Sequence, residues 1–192
     1  FYLTDVSGHG ASSAFVTVWL KQLVRRLFRE RRIFQRPDSL LSDPAELVSL
    51  INRDVMQSRF FCHLTCFLGV IDTETNEMYY VLAGHLPLPI LVSGGEASFL
   101  SGKGKPIGIF SDASWEVYKV ELPEDFALIV FSDGVLEILP PDDLIEKENY
   151  LLNVMAGATA DIDDICEKLS INEQDSAPDD IEYCLCEKKP IS

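Results

Sequence analysis

The chain has 192 residues, of which 47% are hydrophobic and 24% charged, and this length and composition suit one globular domain with a substantial core. Its formal net charge of −15 would repel nucleic acids and anionic lipids, so we expect neither as a main partner. No apolar run approaches the roughly 18 residues of a membrane span, and no secretory signal pattern occurs, so we expect a cytoplasmic protein without membrane insertion.

The five cysteines form none of the patterns that carry cysteine chemistry. Their odd number and their C-x3-C and C-x-C spacings differ from the paired C-x2-C of zinc sites, and none of them begins a C-x5-R phosphate loop. We therefore expect reduced, structural residues at all five positions, which are Cys62, Cys66, Cys166, Cys184 and Cys186.

The chain opens with a short strand that ends at Asp5 and leads into the glycine-containing turn of residues 5–10 (Asp-Val-Ser-Gly-His-Gly). The two glycines permit backbone conformations that other residues resist, and Ser12 or Ser13 can cap the helix that follows. A carboxylate at a strand end is held rigidly, as a metal ligand requires. Considered without the rest of the chain, the turn also fits a purely structural role, in which Asp5 only accepts backbone hydrogen bonds.

Two helices follow. Apolar residues at helical spacing predict an amphipathic helix over residues 14–34, and its C-terminal half is crowded with basic residues. This basic face is either a solvated surface or a docking surface for an acidic partner. The second helix starts at Asp43, the expected N-cap, with Pro44 in the first turn and Glu46 three residues after the cap.

The remaining chain is predicted to form mainly antiparallel strands, because apolar residues alternate with a period of two between polar or glycine-containing turns. The predicted strands cover residues 64–71, 78–82, 89–92, 97–100, 115–122, 126–131 and 182–186. The uninterrupted apolar run at 126–131 is typical of a central strand. Two further helices are expected at residues 150–155 and 162–169.

Three acidic positions lie where a predicted strand meets a turn: Asp5, Asp133, and Asp179 with its neighbour Asp180. Such strand ends can converge on one edge of a sheet assembly, and carboxylate oxygens are the ligands that Mg²⁺ and Mn²⁺ prefer. Asp133 with the following glycine could alone be an ordinary turn, and the Asp179–Asp180 pair a solvated one. Together, the three positions favour a metal site.

Four motifs in this order resemble the metal-dependent protein phosphatase (PPM) family, and specifically its bacterial SpoIIE-like branch. They are residues 5–10, residues 82–87 (Leu-Ala-Gly-His-Leu-Pro), residues 131–137 (Phe-Ser-Asp-Gly-Val-Leu-Glu) and residues 179–181 (Asp-Asp-Ile). The resemblance covers nearly the whole chain and implies a single phosphatase domain over residues 1–192. Its implied fold is α+β: an antiparallel β-sandwich flanked by helices on both faces. The family's first strands would precede Phe1, so we expect the domain to be N-terminally incomplete.

The resemblance also implies a site with two Mn²⁺ or Mg²⁺ ions. Asp5 would bridge both ions, the Val6 backbone carbonyl would bind one of them, and Asp133 with Asp179 would hold the other, with Asp180 as the alternative to Asp179. The implied activity is hydrolysis of a phosphoserine or phosphothreonine protein by metal-activated water. The implied substrate and partner is an anti-sigma-factor antagonist, and an upstream regulatory domain is expected.

Other assignments stay open at this point. His9 either protonates the leaving oxygen of the substrate or has a structural role in its turn, and His85 is expected to be structural. The chain departs from the family pattern at Leu82, where asparagine is common, at Glu124, where glycine is expected, and at Glu182, where serine or threonine is usual. The departure at Glu182 and the missing strands support an alternative function, a catalytically weak module that sequesters a regulatory protein. The oligomeric state is open.

Overall fold

A computed structural model describes residues 1–8, 10–35, 39–58, 60, 62–156, 162–171 and 181–188, with only the backbone at Ala11 and Ser12. The elements follow in the order β1 (Tyr2–Val6), α1 (Ala11–Arg31), a 3-10 turn (Ser39–Leu41), α2 (Asp43–Gln57), β2 (Leu64–Asp72), β3 (Glu77–Ala83), β4 (Ile90–Ser93), β5 (Glu96–Phe99), β6 (Tyr118–Glu121), β7 (Phe126–Phe131), α3 (Gly134–Ile138), α4 (Leu144–Ala156), α5 (Ile162–Lys168) and β8 (Tyr183–Lys188).

The chain divides into two compact units, each with its own antiparallel four-stranded sheet. The first unit comprises Phe1–His85 and Gly102–Glu121, and the second comprises Leu86–Ser101 and Leu122–Ser192. Two antiparallel sheets with accompanying helices make the fold α+β, as the sequence predicts. No helix in the described part of the chain is long and apolar enough to cross a membrane.

In the first unit the strands lie in the order β1-β2-β3-β6, and α1 and α2 bury their apolar faces in its core. The predicted apolar stripe of α1 is buried. In the first part of β2 both faces are buried, with Cys66 and Leu68 on one face and Phe67 on the other. This double coverage explains why β2 reads as a nearly continuous apolar run.

Helix α1 lies three residues N-terminal to its predicted position. It begins at Ala11 because Gly10, with φ of 84°, occupies the N-cap position. Ser13 therefore lies inside the helix, where its hydroxyl donates to the Gly10 carbonyl, and the expected capping by Ser12 or Ser13 is wrong. The helix ends at Arg31 because Arg32 adopts the left-handed conformation, with φ of 52°.

Helix α2 is present where the sequence predicts the second helix, but its N-cap is Ser42 and not Asp43. Pro44 lies in the first turn, as expected. The Asp43 side chain is fully buried, and its Oδ2 accepts a hydrogen bond from the Phe34 backbone N–H at 2.6 Å. The carboxylate thus fixes the connection between α1 and α2 instead of capping the helix.

In the second unit the strands lie in the order β5-β4-β7-β8. Strand β7 has the predicted bounds, all six of its residues are buried, and it pairs with both β4 and β8. Residues of α3, α4 and α5 form one hydrophobic cluster with this sheet. Helix α4 begins six residues before its predicted start, and α3 is a short helix that the sequence analysis did not predict.

Strand β6 is shorter than the predicted strand at residues 115–122. Trp115, which was expected to open it, instead packs into the core of the first unit, and its Nε1–H donates to the Lys105 carbonyl at 2.8 Å. The residues around Trp115 therefore belong to a long connection, whose backbone is held by side chains.

Candidate metal centre

Asp5 lies at the end of β1, as predicted. It is the penultimate residue of the strand, is half-buried and pairs with Thr65, and Val6 closes the ladder opposite Leu64. The sheet therefore fixes the backbone of both residues. A carboxylate and a backbone carbonyl held in this way satisfy the geometric rigidity that a metal ligand needs.

The turn after Val6 is fastened to the strand beside it by two hydrogen bonds. The Ser7 backbone N–H donates to the His63 carbonyl at 2.9 Å, and the His63 backbone N–H donates to Ser7 Oγ at 2.9 Å. Gly8 then takes a φ of 95°, in the region that only glycine enters without strain. The turn is thus anchored directly beyond the candidate ligands Asp5 and Val6, and His9 lies outside the described residues.

Asp133 follows the buried strand β7 and occupies the N-cap position of α3. Its backbone is helical, with φ of −64° and ψ of −21°, and its side chain makes no capping hydrogen bond. The side chain is exposed and forms no hydrogen bond or ion pair with any residue that the structure describes. Its oxygens are therefore not occupied by the local fold.

The residue before Asp133 repeats the pattern found beyond Asp5. The Ser132 backbone N–H donates to the Glu182 carbonyl at 2.8 Å, and the Glu182 backbone N–H donates to Ser132 Oγ at 2.9 Å. Ser132 is buried, and Glu182 directly precedes β8. Asp5 and Asp133 thus each have, within two residues, a serine that exchanges two hydrogen bonds with a distant part of its own unit.

The remaining predicted ligands, Asp179 and Asp180, lie outside the described residues. Within the described ranges, no group of three or more His, Cys, Asp and Glu side chains is arranged to hold a metal ion. The structure therefore places Asp5, Val6 and Asp133 at strand ends, and the complete ligand set stays a prediction.

The family model for Stage II sporulation protein E (SpoIIE) matches residues 1–189. The chain belongs to the SpoIIE-like branch of the PPM family. The family prediction drawn from the four motifs is thereby confirmed.

Among known proteins, the chain is similar to the phosphoserine phosphatase RsbP of Bacillus subtilis, with 30% identity over 136 residues, or 70% of this chain and 32% of RsbP. It is also similar to a crystal structure of RsbU and RsbW domains from Mycobacterium tuberculosis, with a TM-score of 0.77 and 24% identity over 100% of this chain and 52% of that one. The chain thus spans about a third of the length of RsbP.

A third similarity is to a structure of the PP2C phosphatase domain of B. subtilis SpoIIE with a fragment of its regulatory domain. The TM-score is 0.73 at 18% identity, over 96% of this chain and 52% of that one. At these identities the likeness concerns the fold alone, and it confirms the predicted PPM-type α+β fold class.

The other histidines of this SpoIIE-family chain differ in their surroundings. His85 is buried, with 3% of its surface exposed, and its ring lies 6.2 Å from the Phe67 ring centre, which agrees with a structural role. His63 is exposed, and its backbone is the partner of Ser7. No local sequence pattern indicates this contact, because the two residues are 56 positions apart.

All five cysteines are free thiols, as expected. Cys66 and Cys166 are buried, whereas the other three are half-buried and not core residues. Burial raises the pKa of the Cys66 thiol to about 11, which outweighs the opposing hydrogen bond from Thr4. This thiol is therefore protonated at neutral pH and unsuited to act as a nucleophile.

The predicted basic face lies on α1 and is exposed. Arg26 forms an ion pair with Asp54 of α2 at 2.6 Å. The other basic residues of α1 are compatible with both predicted roles of this face, a solvated surface and a docking surface for an acidic partner.

Proposed function

We propose that residues 1–192 form one metal-dependent phosphoserine or phosphothreonine protein phosphatase domain. The observation that carries the proposal is the SpoIIE family match over residues 1–189. The matched range includes Asp5, near the end of β1, and Asp133, which follows β7. The name of the similar protein RsbP, a phosphoserine phosphatase, supports the same reaction.

The proposed ligands of two Mn²⁺ or Mg²⁺ ions are the Asp5 carboxylate, the Val6 carbonyl, Asp133 and Asp179, with Asp180 as the alternative to Asp179. The donors fit these ions because all are hard oxygens, and because the Asp133 carboxylate is not used by any described neighbour. When bound, such ions would lower the pKa of a shared water and neutralise the phosphoryl oxygens.

The chain's own residues would hold this arrangement in place. The β1 ladder and Ser7 would keep Asp5 and Val6 at a fixed position, and β7 with Ser132 would do the same for Asp133. His9 is proposed to give a proton to the leaving serine or threonine oxygen, a role that suits a group titrating near neutral pH.

The proposed substrate is a phosphorylated anti-sigma-factor antagonist, and the proposed setting is bacterial signalling with an upstream regulatory domain. Support comes from the names of the similar proteins, which include RsbU and RsbW domains and a SpoIIE regulatory domain.

The test is release of phosphate from a phosphoserine protein by the full-length protein, with Mn²⁺ and then with an excess of chelator. Asp5→Asn and Asp133→Asn keep the side-chain shape and remove the charge, and each is expected to lower kcat about a hundredfold or more. Asp125→Asn is the matched control because Asp125 precedes the opposite end of β7, and it is expected to keep normal activity.

Activity that survives both the chelator and the two substitutions would contradict the proposal. Tight binding of a phosphoprotein without turnover, unaffected by Asp5→Asn and Asp133→Asn, would instead favour the alternative of a sequestering module.

A further inference from the structure

A basic, glycine-rich segment precedes β6 and belongs to the first unit. We call residues 102–110 (Gly-Lys-Gly-Lys-Pro-Ile-Gly-Ile-Phe) the lysine loop. Lys103 and Lys105 are exposed, and neither ammonium group forms an ion pair with a residue in the described part of the chain. In a protein of net charge −15, two such cations on one loop are a distinct local feature.

The backbone of the lysine loop is fixed at three consecutive residues. The Tyr118 hydroxyl accepts from the Lys103 N–H at 3.2 Å, and the Gly84 N–H donates to the Gly104 carbonyl at 2.9 Å. The indole of Trp115 donates to the next carbonyl, that of Lys105, at 2.8 Å. The two lysines therefore project from a rigid backbone.

A buried amide fixes the other end of the lysine loop. Asn52 of α2 has 4% of its surface exposed, and its Oδ1 accepts from the Gly108 N–H at 2.7 Å. Its Nδ2 donates to the Phe110 carbonyl at 3.1 Å. Both polar groups of this buried side chain are thus satisfied by the backbone of the lysine loop, which fixes its shape.

Apolar side chains lie beside the cations. Ile109 and Phe110 have 46% and 42% of their surface exposed, and the Lys105 ammonium lies 4.8 Å from the centre of the Phe110 ring. A preformed surface that combines positive charge with exposed apolar groups loses little conformational entropy when a peptide binds it. Two compact ammonium groups suit individual carboxylates, whereas nucleic acid and membranes need many more cations and would be repelled elsewhere.

We propose that the lysine loop docks an acidic segment of the protein substrate. Carboxylates of that segment bind Lys103 and Lys105, and an apolar side chain packs on Ile109 and Phe110. The docked segment does not include the phosphoserine that is hydrolysed. The loop therefore determines which substrates are preferred and does not change the rate of the chemical step. This inference rests on the proposed phosphatase function.

The test uses the full-length protein and two synthetic phosphoserine peptides that differ only in flanking residues, glutamates in one and glutamines in the other. We expect the wild type to prefer the glutamate peptide. In Lys103→Gln/Lys105→Gln, kcat/KM for this peptide is expected to fall about five- to tenfold through KM, since two exposed charge pairs are lost. Hydrolysis of the glutamine peptide and of p-nitrophenyl phosphate is expected to stay unchanged.

Two further variants sharpen the test. Lys119→Gln is the matched control, because the Lys119 ammonium is already paired with Glu77 at 2.7 Å, and it is expected to keep the preference. Lys103→Arg/Lys105→Arg retains the charges and should retain the preference as well.

The docking role would be overturned by a wild type that shows no preference for the glutamate peptide, or by a Lys103→Gln/Lys105→Gln variant that keeps the preference. If the protein still hydrolyses p-nitrophenyl phosphate in that case, the phosphatase proposal stands. A wild type inactive on both peptides and on p-nitrophenyl phosphate would overturn both proposals.

Discussion

Ser132 and Glu182 exchange two hydrogen bonds, of 2.8 and 2.9 Å, across 50 positions of sequence. Ser7 and His63 form the same pair of bonds, both of 2.9 Å, across 56 positions. In each pair the serine hydroxyl accepts the N–H of the residue whose carbonyl accepts the serine's own N–H. The two serines lie within two residues of Asp133 and Asp5, so one local device holds the backbone beside each candidate ligand.

Removing the hydroxyl of Ser132 is expected to weaken the second unit. Ser132→Ala leaves the Glu182 N–H without its acceptor in a partly buried place, which costs about 1–2 kcal/mol and lowers the thermal midpoint by a few degrees. Ser132→Thr keeps the oxygen and should recover most of the loss. The control is Ser93→Ala, because the exposed Ser93 hydroxyl only donates to the Asp125 carbonyl. Equal midpoints for the two alanine variants would contradict this account.

The lysine loop requires glycine at position 104. A Cβ built there would lie 1.8 Å from the Leu82 carbonyl oxygen, so Gly104→Ala is expected to cost at least about 3 kcal/mol or to prevent folding. At Gly94 nothing lies within 4 Å of an added Cβ, and only its φ of 59° opposes a side chain. Gly94→Ala should therefore cost about 1 kcal/mol. Thermal unfolding compares the two, and a similar small loss for both would be inconsistent with the close approach at Leu82.

The buried carboxylate of Asp43 is expected to matter more than the half-buried one of Asp54 on the same helix. Asp43→Ala deprives the Phe34 N–H of its charged acceptor and should lower the free energy of unfolding by about 1.5–3 kcal/mol. Asp54→Ala breaks the solvent-accessible ion pair with Arg26, which is worth about 1 kcal/mol or less. Urea titrations measure both values. A larger loss for Asp54→Ala would argue against the bracing role of Asp43.

The raised pKa of Cys66 predicts a pH dependence of stability at alkaline pH. Burial raises the pKa of this thiol from 9.0 to about 11, so the folded state binds its proton more tightly than the unfolded state. The resulting stabilisation is complete below pH 9 and is lost as the pH rises through 11. The free energy of unfolding of wild type minus that of Cys66→Ala should therefore fall by up to about 2 kcal/mol over this range. A constant difference would contradict the predicted shift.

Local sequence patterns predicted the elements best where an apolar run is bounded by residues that favour turns or helix starts. Strand β7 has its predicted bounds because its apolar run is bounded by polar turns, and Pro44 marks the start of α2. Helix α1 differs from its predicted position because Gly10 is its N-cap and the left-handed Arg32 ends it. Neither glycine nor arginine marks a helix boundary by itself. Helix α3 has only five residues, too few for a helical period to be recognised.

For the site, the sequence predicted the strand-end positions of Asp5 and Asp133, because a strand followed by a glycine-containing turn is a local pattern. It could not predict the partners of Ser7 and Ser132, which are far away in sequence. It likewise gave no signal for Asn52, whose amide shapes a loop 56 residues later.

The central claim, a two-metal site at the ends of β1 and β7, is tested most directly by a crystal structure of the protein soaked in Mn²⁺. We expect two anomalous peaks about 3.5–4 Å apart, with Asp5 beside both and Asp133 beside one. Peaks that contact neither carboxylate, or no peak at either aspartate at saturating Mn²⁺, would contradict it.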